Sequence, residues 1–499
     1  MALMGLSSVS YAVLYYFVFF TRASWTFQEP SYEAVQRNSF KIFNAIHAAM
    51  RQWGSSIEHN GMSFFPATIP KGVNLYHGTH KAGVIRGMEW LAFEIEHAEM
   101  FADMDRIGSR NYQLSRTEQS DGQPSQFVMT GGPQNANTKG HDPGYLHIYR
   151  TTRPQRLLYI DGMAAAKTEM GTLDTQDLLL RNRSVGLGWD EHRRAFELCK
   201  LAREWQIDGI VRMEAGFEII KCDFSDGMEL ISANQRPKTP VYDSSLRELE
   251  YLRAVSQRYW DITASRVTLD YSRMLSAFFY PINLSNPIPA FADQPRLVYP
   301  SWQELNSVKS DLRDILSNQS HTSSVDWQGI TDMIVTRYSD RLQFMAERSS
   351  LAELSLEVQD LLDIYIDYST PDPNMAVAAN KCTTHFLGPA PSATSIWPEH
   401  LIYVALQTVT SHICQSLFAV RRVVTAEISK EVGTSVDKAR DIVRNLMGVL
   451  KWPEWKDCGR CGSDRICFVA MWPDGNTEDH YSPRCLNKTE IDGREGYWQ

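Results

Sequence analysis

Short runs of apolar residues, some alternating with polar ones, recur along residues 70–235 and predict β-strands. The runs occupy residues 73–77, 90–93, 144–149, 157–160, 209–212, 217–222 and 228–231. Apolar residues at helical spacing predict helices over residues 30–60, 95–104 and 189–205. Strands interleaved with helices in this way predict an α+β region built of short strands.

A long polar segment interrupts this region at residues 103–143, where Gly, Pro, Asn and Gln are frequent. Connections inside compact domains are usually short, and a connection of this length is usually functional or disordered. We therefore predict a long mobile loop here.

The pattern changes to amphipathic helices after Pro237. The helical segments lie at residues 244–267, 301–318, 350–368, 398–424 and 436–452, with Pro-rich breaks at 281–300 and 371–398. Because 499 residues exceed one ordinary core, we predict several regions. They are a hydrophobic segment at 1–29, an α+β catalytic domain at 30–237, an all-α domain at 238–452 and a Cys-rich tail at 453–499.

Composition and net charge narrow the class of protein. Hydrophobic residues make up 43% of the chain and charged residues 22%, which is typical of a globular protein. The net charge is −9 and the sequence pI is about 5.8. A large nucleic-acid-binding surface would appear as net positive charge, so none is predicted.

The first charged residue of the chain is Arg22, and the segment before it is largely apolar. Three interpretations stay open: a signal peptide or membrane anchor, a buried or interfacial helix, and a misassigned start codon. We therefore predict a protein that is cytoplasmic, or that associates with a membrane through residues 1–21.

Eight cysteines leave the compartment open. Four of them lie in apolar surroundings and are predicted to be buried free thiols, namely Cys199, Cys222, Cys382 and Cys414. The other four lie in the tail, at Cys458, Cys461, Cys467 and Cys485. Their spacing fits a structural zinc site or two disulfides, and the Cys-x-x-Cys pair at the start of the tail also fits a redox pair.

Four Asn-x-Ser/Thr triplets occur, at Asn182, Asn283, Asn318 and Asn487. They matter only if the chain enters the secretory route.

The stretch LYHGT at residues 75–79 suggests a strand that ends in a turn. His77 in that position can form a hydrogen bond to a ribose or carbonyl group, or act as an acid or base near neutral pH, and Gly78 would let a ligand approach the backbone. The alternative is a His that caps its own turn.

Carboxylates follow the next strand at Glu94 and Glu96, where they would also stabilise the first turn of a helix. Glu94 is nearest the strand end and is our catalytic candidate in this segment. His97 is predicted to be a surface or packing residue of the helix.

A second pair of carboxylates, Glu214 and Glu218, flanks Gly216 at the start of a strand. A Glu on an apolar strand faces either solvent or a pocket, and an unpaired Glu in a pocket has a raised pKa. It could then stabilise a developing cation or take a proton. The alternative is an ordinary edge strand.

These elements resemble the ADP-ribosyltransferase fold over residues 70–235. The pattern is a His in LYHGT, then the strand and helix of WLAFEIEHAEMFA, then a Glu on a later strand. The resemblance implies that NAD is the substrate, that His77 contacts a ribose hydroxyl and that Glu218 stabilises the oxocarbenium ion. The middle motif departs from the family, with Leu91-Ala92-Phe93 in place of Ser-Thr-Ser.

A second resemblance covers more of the chain. WGSSIEHNGMSFFP, GYLHIYRTTRPQRLLYIDGM, AKTEMGTLDTQD and RMEAGFEIIKCDFSDGMEL, together with the LYHGT segment, are similar to fungal arginine-containing cyclodipeptide synthases. The resemblance implies an enzyme of secondary metabolism that joins arginyl-tRNA and a second aminoacyl-tRNA into a diketopiperazine, without a cofactor.

Such a synthase needs a base for the attacking amine and carboxylates that hold a guanidinium group. His77 is the predicted base, and Glu94, Glu96 or Glu218 the predicted clamp. The other predicted substrate-binding residues are Tyr76, Trp90, Asp161 and Asp174, with Asp177 as a further clamp candidate. The synthase is the first hypothesis and the NAD-using transferase the second. A third hypothesis is a non-catalytic scaffold or binding protein.

Overall fold

The computed structural model describes most of the chain. The described residues are 29–102, 112–115, 128–131, 144–183, 191–237, 244–258, 262, 266–317, 325–369, 371–388, 390–391, 395–426, 432–492, 494 and 497. Residues 1–28 of the hydrophobic N-terminal segment lie outside them, so that prediction stays a prediction. In the predicted loop at 103–143 the described residues, 112–115 and 128–131, form two paired strands, so the loop prediction is wrong there.

Three short helices precede the sheet: α1 (Tyr32–Arg37), α2 (Ser39–Ala48) and α3 (Gln52–Ile57). The sequence predicts one helical stretch here. The backbone breaks it at Asn38, whose N–H bonds back to α1, and at Met50, whose φ is 57°. A positive φ is uncommon for a residue with a side chain and ends a regular helix.

Ten strands, two α-helices and a π-helix follow. The strands are β1 (Ser63–Ile69), β2 (Asn74–Thr79), β3 (Glu89–Ala92), β4 (Tyr112–Ser115), β5 (Val128–Gly131), β6 (Tyr145–Thr151), β7 (Gln155–Ile160), β8 (Gly209–Met213), β9 (Phe217–Lys221) and β10 (Met228–Gln235). The helices are α4 (Ile95–Ala102), the π-helix Thr175–Leu180 and α5 (Glu191–Glu204). All seven predicted strands are present. Three strands were not predicted: β1, which contains Pro66, a residue uncommon in a strand with neighbours on both sides, and β4 and β5, which pair with each other.

One sheet carries the candidate site. Two further short strands, β11 (Thr268–Leu269) and β12 (Leu275–Ser276), both pair with β1. The strand order of the sheet is β10-β6-β2-β3-β9-β8-β7-β1-β11. The neighbours are antiparallel except β7 and β8, which are parallel. The sheet therefore continues past residue 237, where the sequence analysis places a domain boundary.

Helices dominate the next region. They are α6 (Ser244–Arg253), α7 (Trp302–Ser317), α8 (Trp327–Glu347), α9 (Leu351–Leu362), α10 (Met375–Thr384), α11 (Trp397–Ala426) and α12 (Val432–Leu450). The sequence analysis missed α8 and α10. Among the described residues, no helix is long and apolar enough to cross a membrane.

The Cys-rich tail forms a hairpin of β13 (Arg465–Phe468) and β14 (Arg484–Asn487), with the short helices α13 (Thr477–Tyr481) and α14 (Lys488–Ile491). The predicted coarse architecture, a sheet region followed by a helical region and a Cys-rich tail, is confirmed. The regions also share contacts. His47 of α2 lies 2.7 Å from Asp332 of α8 and 2.6 Å from Glu454 of the tail.

All eight cysteines are paired in disulfides: Cys199–Cys222, Cys382–Cys414, Cys458–Cys467 and Cys461–Cys485. The prediction of four buried free thiols is wrong, because strand pairing and helix packing bring partners together that lie 23 and 32 residues apart in sequence. In the tail the four cysteines form two disulfides, which is one of the predicted alternatives. Their sulfurs are therefore not thiolate ligands for zinc.

The pairing predicts that the denatured, unreduced protein has no thiol that reacts with a thiol reagent. After reduction, eight equivalents should react. Closing loops of this length contributes about 3 kcal/mol each, so the reduced protein should also unfold at much lower denaturant concentration. Four reactive thiols before reduction would restore the free-thiol prediction or a zinc site.

Candidate functional site

A row of side chains crosses the middle of the sheet on one face. Ala92 of β3 pairs with Tyr76 of β2 on one side and with Glu218 of β9 on the other, and Glu218 also pairs with Arg212 of β8. Residues directly opposite in antiparallel strands point to the same face of the sheet. Tyr76, Glu218 and Arg212 therefore converge although they are far apart in sequence.

Helix α4 packs on this face because two glycines leave room for it. A Cβ atom on Gly78 would lie 2.1 Å from the carbonyl oxygen of Ala98, so the glycine in LYHGT admits this helix rather than a ligand. A Cβ atom on Gly216 would lie 2.8 Å from the ring of His97. The two glycines thus fix the position of His97 over the sheet.

A pocket forms between α4, the strands and the loop after β7. Its polar and aromatic lining is Tyr76, His77, Trp90, His97, Phe101, Lys167, Glu191, Arg212, Glu214 and Glu218. The cavity volume is about 40 Å³, enough for a few water molecules. His77, Glu218 and the two aromatic candidates, Tyr76 and Trp90, therefore line one pocket.

Beneath the pocket, buried ion pairs run from Glu218 toward α5. The Arg212 guanidinium donates from Nε to Glu218 at 2.7 Å, to Gln176 at 2.8 Å and also to Glu191. Glu191 accepts from Arg194 at 2.5 Å, and Arg194 donates to both oxygens of Asp177 at 2.9 and 3.0 Å. Every nitrogen of Arg212 thus has a partner.

These charges hold one another ionised. Burial alone raises the pKa of Glu191, but Arg212 and Arg194 outweigh it, so that pKa lies well below its usual range. Burial alone lowers the pKa of Arg212, but Glu191 and Glu218 outweigh it, so that pKa is raised. The π-helix Thr175–Leu180 supplies Gln176 and Asp177, and such helices are frequent at functional sites.

Glu214 stands apart from the other carboxylates of the pocket. Burial raises its pKa to about 7, against the opposing charge of Lys167. Its Oε1 accepts from the Lys167 ammonium group, and its Oε2 is buried without a hydrogen-bond partner among the described residues. Lys167 also lies 4.9 Å from the centre of the Trp472 ring, which brings the tail close to the pocket.

His97, predicted to be a surface or packing residue, is buried and lines the pocket. Its Nδ1 lies 2.9 Å from the hydroxyl of Tyr251 in α6, and its Nε2 is buried without a partner among the described residues. Burial lowers the pKa of His97 to about 4, so the ring is neutral at pH 7.

Three ligand atoms for a metal ion lie within 4.8 Å of one another, on His97, Glu214 and Glu218. Lys167 already pairs with Glu214 and Arg212 with Glu218, so each carboxylate has a cationic partner. A divalent cation would have to displace these partners against their repulsion. The charge balance therefore favours polar contacts to a substrate over metal binding.

His77 lies at the seam where β2 and β3 separate after their single paired position. Its Nδ1 is 2.6 Å from the carbonyl oxygen of Trp90, which can only accept, so Nδ1 carries the proton and Nε2 is an acceptor. Strand alternation turns its ring toward Phe224, 5.4 Å away, on the face opposite Tyr76. Burial lowers the pKa of His77 to about 3.

The other predicted site residues lie elsewhere. Both carboxylate oxygens of Glu94 are 3.1 Å from the N–H of Phe217, so Glu94 ties α4 to β9. Glu96 pairs with Arg258 at 2.8 Å. Asp161 accepts from the N–H of Ser63 at 2.7 Å, and Asp174 pairs with Arg296 at 2.8 Å. None of these four lines the pocket described above.

Sequence reasoning did not assign three charged residues that line the pocket: Lys167, Glu191 and Arg212. A signal for Arg212 existed, since it is the one charge in the apolar strand GIVRM. A buried charge requires a partner, and antiparallel pairing with the next strand would have placed Glu218 opposite it. Lys167 and Glu191 lie outside the strands, and their positions depend on the whole fold.

The buried state of His77 predicts a pH-dependent variant effect. Unfolded His77 binds a proton below pH 6.5, whereas the folded ring does so only near pH 3, so its contribution is lost as the pH falls from 6.5. Each pH unit is worth about 1.4 kcal/mol. The destabilisation caused by His77→Gln, measured by urea unfolding, should therefore shrink by about 2.3 kcal/mol between pH 6.5 and pH 4.5, since the unfolded ring is already half protonated at pH 6.5. A penalty that is independent of pH would contradict burial of a neutral ring.

The pocket lies within the segment of the chain that matches a protein-family model. Residues 32–147 and 115–242 match the family model described as the YPL277C N-terminal domain. The chain is similar to the uncharacterized protein YOR389W of Saccharomyces cerevisiae, at 25% identity over 534 residues, which covers 88% of this chain and 83% of that protein. It is also similar to the uncharacterized protein YPL277C of the same yeast, at 36% identity over 214 residues, 39% of this chain and 42% of that protein. No solved structure matches.

Proposed function

We propose that the protein is an enzyme that transfers the ADP-ribosyl group of NAD, with NAD as substrate in the pocket of β2, β3 and β9. One observation carries the proposal: Tyr76, Trp90 and Glu218, from three neighbouring strands, line the same pocket. The resemblance of LYHGT, WLAFEIEHAEMFA and the Glu-bearing strand to ADP-ribosyltransferases adds the substrate class.

The reaction breaks the bond between the nicotinamide nitrogen and C1′ of the ribose. The electron pair of this bond leaves with nicotinamide, and C1′ becomes part of an oxocarbenium ion. The carboxylate of Glu218, fixed by Arg212 at 2.7 Å, stabilises that cation in a site with little water. A lone pair of the acceptor then forms the new bond to C1′.

The remaining residues bind and orient the substrate. Tyr76 and Trp90 offer aromatic surfaces to the nicotinamide ring, which is larger than the cavity of about 40 Å³, so the pocket must open to admit it. His77, whose ring lies on the opposite face of the sheet, positions Trp90 by donating from Nδ1 to its carbonyl oxygen at 2.6 Å. Glu214 takes the acceptor's proton on its unpartnered Oε2, since its pKa of about 7 suits a general base at neutral pH.

Incubation of the full-length, disulfide-bonded chain with NAD tests this proposal. The expected result is release of more than one nicotinamide per protein molecule, detected by chromatography, with free ADP-ribose or a modified acceptor as the second product. Folded protein that leaves NAD intact, with water and with a cell extract as acceptor source, would overturn it.

A second candidate is the arginine-containing cyclodipeptide synthase. The observation in its favour is that Oε2 of Glu214 is buried in the pocket without a hydrogen-bond partner among the described residues. A guanidinium group could donate to it. Expression in a yeast host should then yield an arginine-containing diketopiperazine, and ribonuclease should abolish its formation in an extract.

The disulfides support the first candidate over the second. Four disulfides persist in an oxidising compartment, whereas aminoacyl-tRNA is a substrate of the reducing cytosol. The third hypothesis, a scaffold, predicts neither product, and it predicts that variants of His77 and Glu218 change stability alone.

A further inference from the structure

The disulfides also change the meaning of the Asn-x-Ser/Thr triplets. All eight cysteines are paired, and a chain with four disulfides is typical of the secretory route. In that route an exposed triplet is an acceptor for a carbohydrate chain. The triplets that the structure describes differ in their exposure and in the hydrogen bonds of their Asn side chains.

Asn283 is presented best. It lies on an exposed extended segment between Pro281 and Pro287, outside helices and strands. The backbone is held in place, since the N–H of Arg296 donates to the carbonyl oxygen of Leu284 at 3.0 Å. The segment therefore offers a fixed, solvent-facing side chain rather than a strand edge or helix cap.

The side chain of Asn283 is also oriented by its own triplet. Its Oδ1 accepts from the N–H of Ser285 at 3.0 Å and from the hydroxyl of Ser285 at 2.6 Å. Within the described residues, nothing hydrogen-bonds to its Nδ2, the atom that would carry the sugar. Both contacts are made by Oδ1, so neither of them occupies Nδ2.

The other triplets differ. Asn487 caps helix α14, with Oδ1 accepting from the N–H groups of Thr489 and Glu490, and it is only half-exposed. Asn182 is half-exposed, with a φ of 55° and a buried Oδ1. Asn318 lies outside the described residues. Asn283 is therefore the exposed acceptor among the triplets that the structure describes.

We propose that Asn283 is an N-glycosylation site and that the chain matures in the oxidising lumen of the secretory route. Nδ2 of Asn283 forms a bond to the anomeric carbon of a lipid-linked diphosphate oligosaccharide. The anomeric carbon–oxygen bond breaks, the lipid diphosphate leaves with the electron pair, and the amide loses one proton. This inference is independent of the chemistry of the pocket.

The test uses the full-length chain expressed in a yeast host and treated with a peptide N-glycosidase in heavy-oxygen water. The expected result is a labelled aspartate at position 283 and a loss of mass on treatment. Asn283→Gln and Ser285→Ala should both abolish that mass step, whereas Ser285→Thr, which keeps the hydroxyl, should retain it.

Two results would overturn the proposal. One is an unmodified peptide at position 283 from folded, disulfide-bonded protein. The other is modification confined to the remaining triplets, with a mass step that Asn283→Gln leaves unchanged. Nicotinamide release has no part in either result, so the outcome does not depend on the proposed enzymatic function.

Discussion

Replacing Glu218 by Gln is expected to lower the rate of nicotinamide release from NAD by about 100-fold or more, the usual loss when a group that stabilises transition-state charge is removed. Gln fills the same space but carries no charge to set against the oxocarbenium ion. The Arg212 contact at 2.7 Å fixes this carboxylate, so no neighbouring group replaces it without moving.

The matched control is Glu229→Gln, on the exposed side of β10 in the same sheet. It should keep the wild-type rate. Because Glu218→Gln also leaves Arg212 short of one partner, the unfolding midpoint of each variant must be measured beside its rate. A folded Glu218→Gln variant with unchanged turnover would remove Glu218 from the reaction.

The second large effect concerns stability. Arg212→Met should lower the free energy of unfolding by about 3–5 kcal/mol, the usual result of removing one partner from a buried ion pair. Glu218 would lose the guanidinium that pairs with it in a buried site, and Glu191 would keep only its contact with Arg194. Urea unfolding measures the change directly.

Two further variants separate charge from packing. The triple variant Arg212→Met, Glu191→Gln, Glu218→Gln should recover part of the loss, because no uncompensated charge remains. Arg150→Met, on an exposed position of β6, should stay within about 0.5 kcal/mol of the wild type. Equal losses in the single and triple variants would show that packing, not charge, explains the effect.

Much of the sheet could be predicted from the sequence because its strands have strong local patterns. Each of the seven predicted strands has an apolar or alternating run, and the glycines at 78 and 216 mark turns or close approaches. The strand Ser63–Ile69 was not predicted from sequence, and it contains Pro66, a residue that is uncommon inside a strand. Its pairing on both sides depends on neighbours that come from residues 155–160 and 268–276, which no local pattern reveals.

The site was predictable only in part, for the same physical reason. Glu218 stood out because a charge on an apolar strand needs an explanation, and it does line the pocket with His77. Glu94 also has an explanation, but a structural one, since it binds the N–H of Phe217. His97 became a pocket residue only because α4 lies on Gly216, a contact between distant segments.

The cysteines show most clearly what the sequence alone could not predict. Composition could not distinguish free thiols, zinc ligands and disulfides, because each depends on which sulfurs meet in the folded chain. The structure joins Cys199 to Cys222 and Cys382 to Cys414, pairs that the apolar surroundings of each residue concealed.

The most direct test of the account is a crystal structure of the Glu218→Gln variant grown with NAD. We expect the nicotinamide ring in the pocket against Trp90, with C1′ of its ribose facing residue 218. A saturated crystal with an empty pocket, or with NAD bound at another surface, would contradict the proposed NAD site.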